Sequence, residues 1–80
     1  MDKIGKALRK LHGRMREEVQ ATLQQVYARR FTGLDMVKLK GYQDIYRVRV
    51  GNMRIIFRIG PDGETFLLHV GRRSDTTYHL

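Results

Sequence analysis

Residues 45–58, IYRVRVGNMRIIFR, alternate apolar and other side chains on both sides of a Gly-Asn pair. An alternation with period two is typical of strands that have one covered face and one open face. The pair Gly51-Asn52, with glycine first, is typical of the type II′ turn of a two-residue β-hairpin. The stretch therefore predicts an antiparallel hairpin of strands 45–50 and 53–59, and this hairpin decides the fold.

The two-residue turn also predicts the strand register. Counting outward from the turn, Arg49 lies opposite Arg54 and Arg47 lies opposite Ile56. The surface that carries Arg47, Arg49 and Arg54 is called the arginine face. The other face of the hairpin is apolar, and its predicted pairs are Val50–Met53, Val48–Ile55 and Tyr46–Phe57.

A third strand follows a second turn. Residues 60–63, GPDG, have the Pro-Asp-Gly chemistry of a tight turn, and residues 64–70, ETFLLHV, read as a strand. If the loop contains only these four turn residues, His69 lies opposite Arg54 on the arginine face. The same register predicts the apolar pairs Phe57–Phe66 and Ile55–Leu68.

The residues before the hairpin predict two helices. Apolar side chains recur at helical spacing from Asp2 to Leu11, and residues 12–13, HG, interrupt the pattern. A second helix is expected from about Arg14, and residues 31–44 are interpreted as a connecting stretch. The apolar stripe of this second helix comprises Met15, Val19, Leu23, Val26 and Tyr27. The predicted fold is α+β, a single domain of residues 1–80 with a helical hairpin packed on an antiparallel meander of three to four strands.

Composition favours an anionic partner. The chain has sixteen Lys and Arg against eight Asp and Glu, so its net charge is +8. Such an excess favours polyanions or an acidic protein. There is no cysteine, and His12, His69 and His79 lack the spacing of metal ligands. We expect a cytoplasmic protein that needs no metal or cofactor and does not bind a membrane.

The arginine face has two interpretations, a solvated surface or an anion-binding site. The predicted register also places Ile45, Ile56 and Leu67 there, and strands 45–50 and 53–59 contain no acidic residue. A purely solvated face would not need these apolar side chains. Guanidinium groups offer planar paired donors to phosphate and keep their charge, so the pattern favours an anion site, with RNA as the expected ligand.

Three segments resemble the RelE/ParE toxin superfamily of bacterial type II toxin–antitoxin systems. They are KLKG at 38–41, YRVRVGNMRIIFRI at 46–59 and LLHVGRRSDTTY at 67–78, and the helical hairpin before them is also similar. RelE-like members are ribosome-dependent mRNA interferases, whereas ParE-like members poison DNA gyrase on nearly the same scaffold. Members usually open with a β-strand before the first helix, and this chain begins at the helix.

The resemblance implies roles for particular residues and favours the RelE-like branch. It implies an endoribonuclease in which arginines stabilise the transition state, Tyr78 stacks on a base and His79 performs acid–base chemistry, with His69 as the second candidate. Arginine remains protonated and is a poor base, whereas histidine titrates near neutral pH. The expected catalytic residues are Arg49, Arg54, Arg73, Tyr78 and His79, and the expected RNA-binding residues are Lys38, Lys40, Arg47, His69 and Arg72.

The resemblance also implies partners. An mRNA, on the ribosome, would be the substrate, and an acidic antitoxin would suit the charge of +8. Without the usual first strand, the sheet has an open edge that an antitoxin strand or a second copy of the chain could cover. Two alternatives stay open: a gyrase inhibitor that is not a nuclease, and an inactive remnant that only binds antitoxin or RNA.

Overall fold

The computed structural model describes Gly5 and residues 8–72 of the chain. Over this part it contains the helix α1 (Gly13–Tyr27) and the strands β1 (Asp35–Lys38), β2 (Ile45–Val50), β3 (Met53–Ile59) and β4 (Thr65–Arg72). The strands form one antiparallel sheet in the order β1-β2-β3-β4. The α+β class is therefore confirmed. Of the first helix predicted from Asp2 to Leu11, Gly5, Leu8 and Arg9 are helical, whereas Lys10 lies in a turn. Residues 2–4, 6 and 7 lie outside the described residues.

Helix α1 packs on the sheet through a narrow stripe. Val19 and Val26 are fully buried, and Thr22 between them is buried with its Oγ1 donating to the Glu18 carbonyl oxygen at 2.8 Å. The predicted stripe is right at its centre and wrong at Tyr27, which is 53% exposed. Tyr27 follows Val26 directly, so it projects about 100° away around the helix, and α1 ends at this residue.

The core lies between α1 and one face of the sheet. Val48, Ile55 and Phe57 are inaccessible to solvent there. The Phe57 ring stacks with two aromatic rings, with centroid distances of 6.1 Å to Phe31 and 5.7 Å to Tyr46. The apolar face that the sequence predicts for the hairpin is thus the face that α1 covers.

The hairpin register is confirmed at every predicted pair. Val50 pairs with Met53, and Arg49 pairs with Arg54. Gly51 has a φ of +58°, while Asn52 is not among the described residues with positive φ. A positive φ at the first turn residue alone distinguishes type II′ from type I′, so the turn type is also confirmed.

Strand β1 was not predicted, because its residues were interpreted as part of the connecting stretch. It pairs with β2, so that Met36 lies opposite Val48 and packs against the core. The strand has only four residues and three of them are exposed. Such a short edge strand gives no recognisable alternation, which explains the error.

The predicted register of β4 is wrong. The turn itself forms as expected, with the Gly63 amide donating to the Gly60 carbonyl oxygen at 2.9 Å. However, Phe57 pairs with Leu67 and not with Phe66, and Ile55 pairs with Val70 and not with Leu68. The register shifts between Ile56 and Phe57, where Leu68 is left as the extra residue of a β-bulge.

The bulge changes which side chains share a face. By register, Phe66 lies on the arginine face and Leu67 lies on the α1 side, the reverse of the prediction. His69 remains on the arginine face but lies opposite Ile56, not opposite Arg54.

None of the helical segments in the described part of the chain is long and apolar enough to cross a membrane.

Candidate functional site

The arginine face is the side of the sheet opposite α1, and the register orders its side chains in three cross-strand rows. Two residues along a strand, about 6.6 Å, separate one row from the next. The first row is Asp35, Arg49, Arg54 and Gly71; the second is Val37, Arg47, Ile56 and His69; the third is Ile45, Arg58 and Phe66.

The first row brings two guanidinium groups together. Arg49 and Arg54 are direct cross-strand partners, and Gly71 beside Arg54 has no side chain to fill the row. The Nε atoms of both arginines are shielded from solvent, and Nε of Arg49 makes no hydrogen bond to the described residues. A shielded cationic donor without an acceptor is costly, and an anionic ligand is the group that would satisfy it.

Two carboxylates reach the arginine face from elements outside the hairpin. Asp35 Oδ1 lies 4.0 Å from Nη2 of Arg47, whose side chain is 16% exposed. Asp44 Oδ2 accepts a 2.6 Å hydrogen bond from Nε of Arg58, and this bond holds the pKa of Asp44 below its usual value. Strands β2 and β3 contain no acidic residue, as expected. The two carboxylates on the arginine face come from β1 and from the loop before β2.

Two of the four arginines on the arginine face lie beside a carboxylate. Arg58, in the third row, is locked to Asp44, and Arg47, in the second row, faces Asp35 at the limit of ion-pair distance. Arg49 and Arg54 are neighbours across β2 and β3 in the first row. An anion bound there would interact with two guanidinium groups at once.

The rest of the arginine face is apolar and partly covered. Ile56 is inaccessible and Ile45 is 8% exposed, although neither belongs to the core cluster under α1. Phe66 is 45% exposed. The face is consequently not a plain solvated surface.

The structure separates the predicted site residues into four groups. Arg47, Arg49, Arg54 and His69 share the arginine face. Lys38 and Arg72 do not, because Lys38 pairs with Tyr46 and Arg72 pairs with Met53, both on the α1 side. Lys40 lies in the exposed turn after β1. Arg73, Tyr78 and His79 lie outside the described residues.

Sequence reasoning did not place Asp44 and Arg58 on this surface, and it also missed Asp35 and Phe66. Asp35 was missed because β1 was not predicted, and Phe66 because the bulge was not predicted. In the part of the chain that the structure describes, no group of three acidic or histidine side chains could hold a metal ion.

Comparison with known proteins agrees with the resemblance inferred from the sequence. Residues 1–77 match the family described as ParE toxin of type II toxin-antitoxin system, parDE. Toxin RelE3 of Methanocaldococcus jannaschii is 42% identical over 45 residues, which are 56% of this chain and 51% of that protein. The chain thus spans about half the length of this curated relative.

Two solved structures share the fold. One is the RelB-RelE antitoxin-toxin complex from Methanococcus jannaschii, with a TM-score of 0.75 and 27% identity over 91% of this chain and 87% of that chain. The other is the archaeal RelE-RelB complex from Pyrococcus horikoshii, with a TM-score of 0.74 and 21% identity over 95% of this chain and 92% of that chain. The chain therefore belongs to the RelE/ParE toxin superfamily, through the family of ParE toxins of type II toxin–antitoxin systems.

Proposed function

We propose that this chain is the toxin of a type II toxin–antitoxin system and that it is an endoribonuclease that cleaves mRNA on the ribosome. The observation that carries the proposal is the direct pairing of Arg49 with Arg54 on the face that α1 leaves open. The names of the relatives, RelE3 and RelB-RelE, support the nuclease branch.

The first row suits the charge that grows during RNA cleavage. When the 2′-oxygen attacks the phosphorus, negative charge accumulates on the non-bridging oxygens, and fixed guanidinium donors stabilise it. Arg49 and Arg54 take this role, with Arg73 as a third donor. Arg47 contributes to binding, since Asp35 offsets part of its charge.

The proton transfers require groups other than arginine. A base must accept the 2′-OH proton and an acid must protonate the leaving 5′-oxygen, and the imidazole of a histidine can do either. We assign acid–base chemistry to His79, with His69 as the second candidate because it lies on the arginine face one row from Arg54. Tyr78 is the proposed base-stacking residue, and the basic side chains Lys38, Lys40 and Arg72 contribute to RNA affinity through long-range attraction.

An acidic antitoxin is the proposed protein partner. The neighbours in the solved structures are complexes of RelB with RelE, and a chain of charge +8 would attract an acidic protein. Within the described residues β1 and β4 are the edges of the sheet, where an antitoxin strand or a second copy of the chain would add by main-chain hydrogen bonds.

The proposed nuclease activity is tested by expressing the chain in cells and mapping cuts in a translated message by primer extension. We expect cuts at codon spacing with the unchanged chain and none with the double variant Arg54→Ala, Arg73→Ala. Arg16→Ala is the matched control, because Arg16 is an exposed arginine of α1 on the other side of the sheet. Undiminished cleavage by the double variant would refute the assignment, and RNA binding without cleavage by the unchanged chain would identify an inactive remnant.

A gyrase inhibitor is the second candidate, because the matched family is described as ParE. That function predicts an SOS response and linearised DNA in expressing cells, with the message intact. The same cultures distinguish the two functions, since only a nuclease shortens the message.

A further inference from the structure

The Phe66 ring forms a supported, half-open aromatic surface on the arginine face. It lies against the backbone of Gly60 in the turn between β3 and β4, where a Cβ added to Gly60 would be 3.0 Å from Cε2 of the ring. Gly60 is buried, whereas Phe66 is 45% exposed. One side of the ring is therefore held by a residue without a side chain, and the remainder is accessible.

The β-bulge in β4 is responsible for this position. In a regular strand, Phe66 and His69 would point to opposite faces because they are three residues apart. Because Leu68 is an extra, unpaired residue between them, the alternation shifts by one position. Phe66 and His69 therefore both lie on the arginine face. The bulge thus adds an aromatic ring to a surface that already carries four arginines.

The distance between the ring and the first row indicates the size of the ligand. Phe66 is in the row of Arg58, four residues along β3 from Arg54, which corresponds to about 13 Å. At this distance, the phosphate bound by Arg49 and Arg54 and the base stacked on Phe66 belong to different nucleotides. Only a chain of several nucleotides reaches both places.

We propose that Phe66 is a stacking platform for a base of single-stranded RNA, at a distance from the phosphate that Arg49 and Arg54 hold. The inference rests on the proposed function, because it requires RNA on the arginine face. The arginines of the same face attract a polyanion, and an exposed π-face accepts an unpaired base that a duplex would keep stacked, so single-stranded RNA fits both features.

The chain contains no tryptophan, so Phe66→Trp introduces a single fluorescent reporter. The probe is a single-stranded RNA of about ten nucleotides, 2′-O-methylated to prevent cleavage. We expect this RNA to quench the Trp emission and inorganic polyphosphate to leave it unchanged, since polyphosphate supplies charge without bases. Tyr27→Trp, at the exposed end of α1, is the control and should not be quenched by either ligand.

Affinity measurements with Phe66→Leu provide the second readout. Loss of one stacked base should weaken binding of the oligonucleotide roughly 5- to 150-fold. Binding of a mononucleotide or of polyphosphate should not change, and Phe66→Tyr should retain the affinity of the unchanged chain. Because Phe66 is half exposed, these variants should fold, and circular dichroism checks that they do.

The outcomes separate this inference from the proposed function. If the unchanged chain binds neither polyphosphate nor RNA, the arginine face is not an anion site and both ideas fail. If it binds RNA, but Phe66→Leu binds equally well and the Trp reporter is not quenched, the stacking platform alone is refuted. If Phe66→Leu instead loses only its affinity for an acidic antitoxin, the ring is a protein-docking residue and the inference is overturned.

Discussion

Arg49 lies directly opposite Arg54 in neighbouring antiparallel strands, and both side chains belong to the face of the sheet that α1 does not cover. Like charges in this arrangement typically cost a sheet a few tenths to about 1 kcal/mol. In a domain of 80 residues, whose total stability is of the order of 4–12 kcal/mol, such a cost is appreciable. An anion bound between the two side chains would offset this cost.

Asp35→Asn should tighten binding of single-stranded RNA. Asp35 is in the same row as Arg49 and lies 4.0 Å from Arg47, so its carboxylate repels phosphate and offsets a guanidinium charge. We expect the dissociation constant to fall about twofold to fivefold at low salt and less at high salt, measured by fluorescence anisotropy. Glu17→Gln, on an exposed position of α1, should have no effect. Weaker binding by Asp35→Asn would show that the carboxylate chiefly orients Arg47.

Phe57→Ala should nearly unfold the protein, whereas Phe66→Ala should change its stability little. Phe57 is inaccessible and stacks with Phe31 and Tyr46, so truncation leaves a cavity. It should lower the free energy of unfolding by about 3–5 kcal/mol. Phe66 is 45% exposed, so the same truncation removes little buried area and should cost about 1 kcal/mol or less. Urea unfolding gives both values, and similar losses for the two variants would contradict the assignment of the two faces.

Gly51→Ala should destabilise the hairpin by about 1–2 kcal/mol. Gly51 has a φ of +58°, which alanine adopts at a cost, and the added Cβ would also meet the terminal methyl group of Met15 at 2.5 Å, which would have to move. Asn52→Ala is the control, because the second residue of a type II′ turn does not require positive φ. The midpoint of urea unfolding measures the stability of both variants. An equal loss of stability in Asn52→Ala would indicate a different turn type.

The pair of Asp44 and Arg58 should make part of the stability depend on pH. The hydrogen bond from Arg58 lowers the pKa of Asp44 below its ordinary value, so the folded state favours the charged carboxylate. The contribution is complete above the ordinary pKa and disappears as pH falls through the lowered pKa. Asp44→Asn should therefore have a lower melting temperature than the unchanged chain at pH 7, with the difference shrinking below pH 4. A difference that is the same at pH 3 and pH 7 would exclude this origin.

The parts of the fold that local rules determine could be predicted from the sequence. The turn at Gly51-Asn52 fixes the register of β2 and β3, and the period of two then places Arg47, Arg49 and Arg54 together. The errors arise where longer-range packing decides. Strand β1 forms because β2 offers it a partner, and the bulge at Leu68 shifts β4 without any signal from glycine or proline.

The same distinction applies to the candidate site. Its arginines were predicted, while Asp35 and Phe66 became apparent only from the positions of β1 and the bulge. The roles of Arg73, Tyr78 and His79 stay predictions, since these residues lie outside the described part of the chain.

The salt dependence of RNA binding is the sharpest test of phosphate binding by Arg49 and Arg54. Each phosphate that a cation neutralises on a single strand contributes about 0.7 to the slope of the logarithm of affinity against the logarithm of salt concentration. If Arg49 and Arg54 bind RNA phosphates, Arg49→Ala with Arg54→Ala should reduce the magnitude of that slope by up to about 1.4 and weaken binding at every salt concentration. The control Arg16→Ala should leave the slope unchanged. A double variant with the slope and affinity of the unchanged chain would show that RNA does not bind at the arginine face.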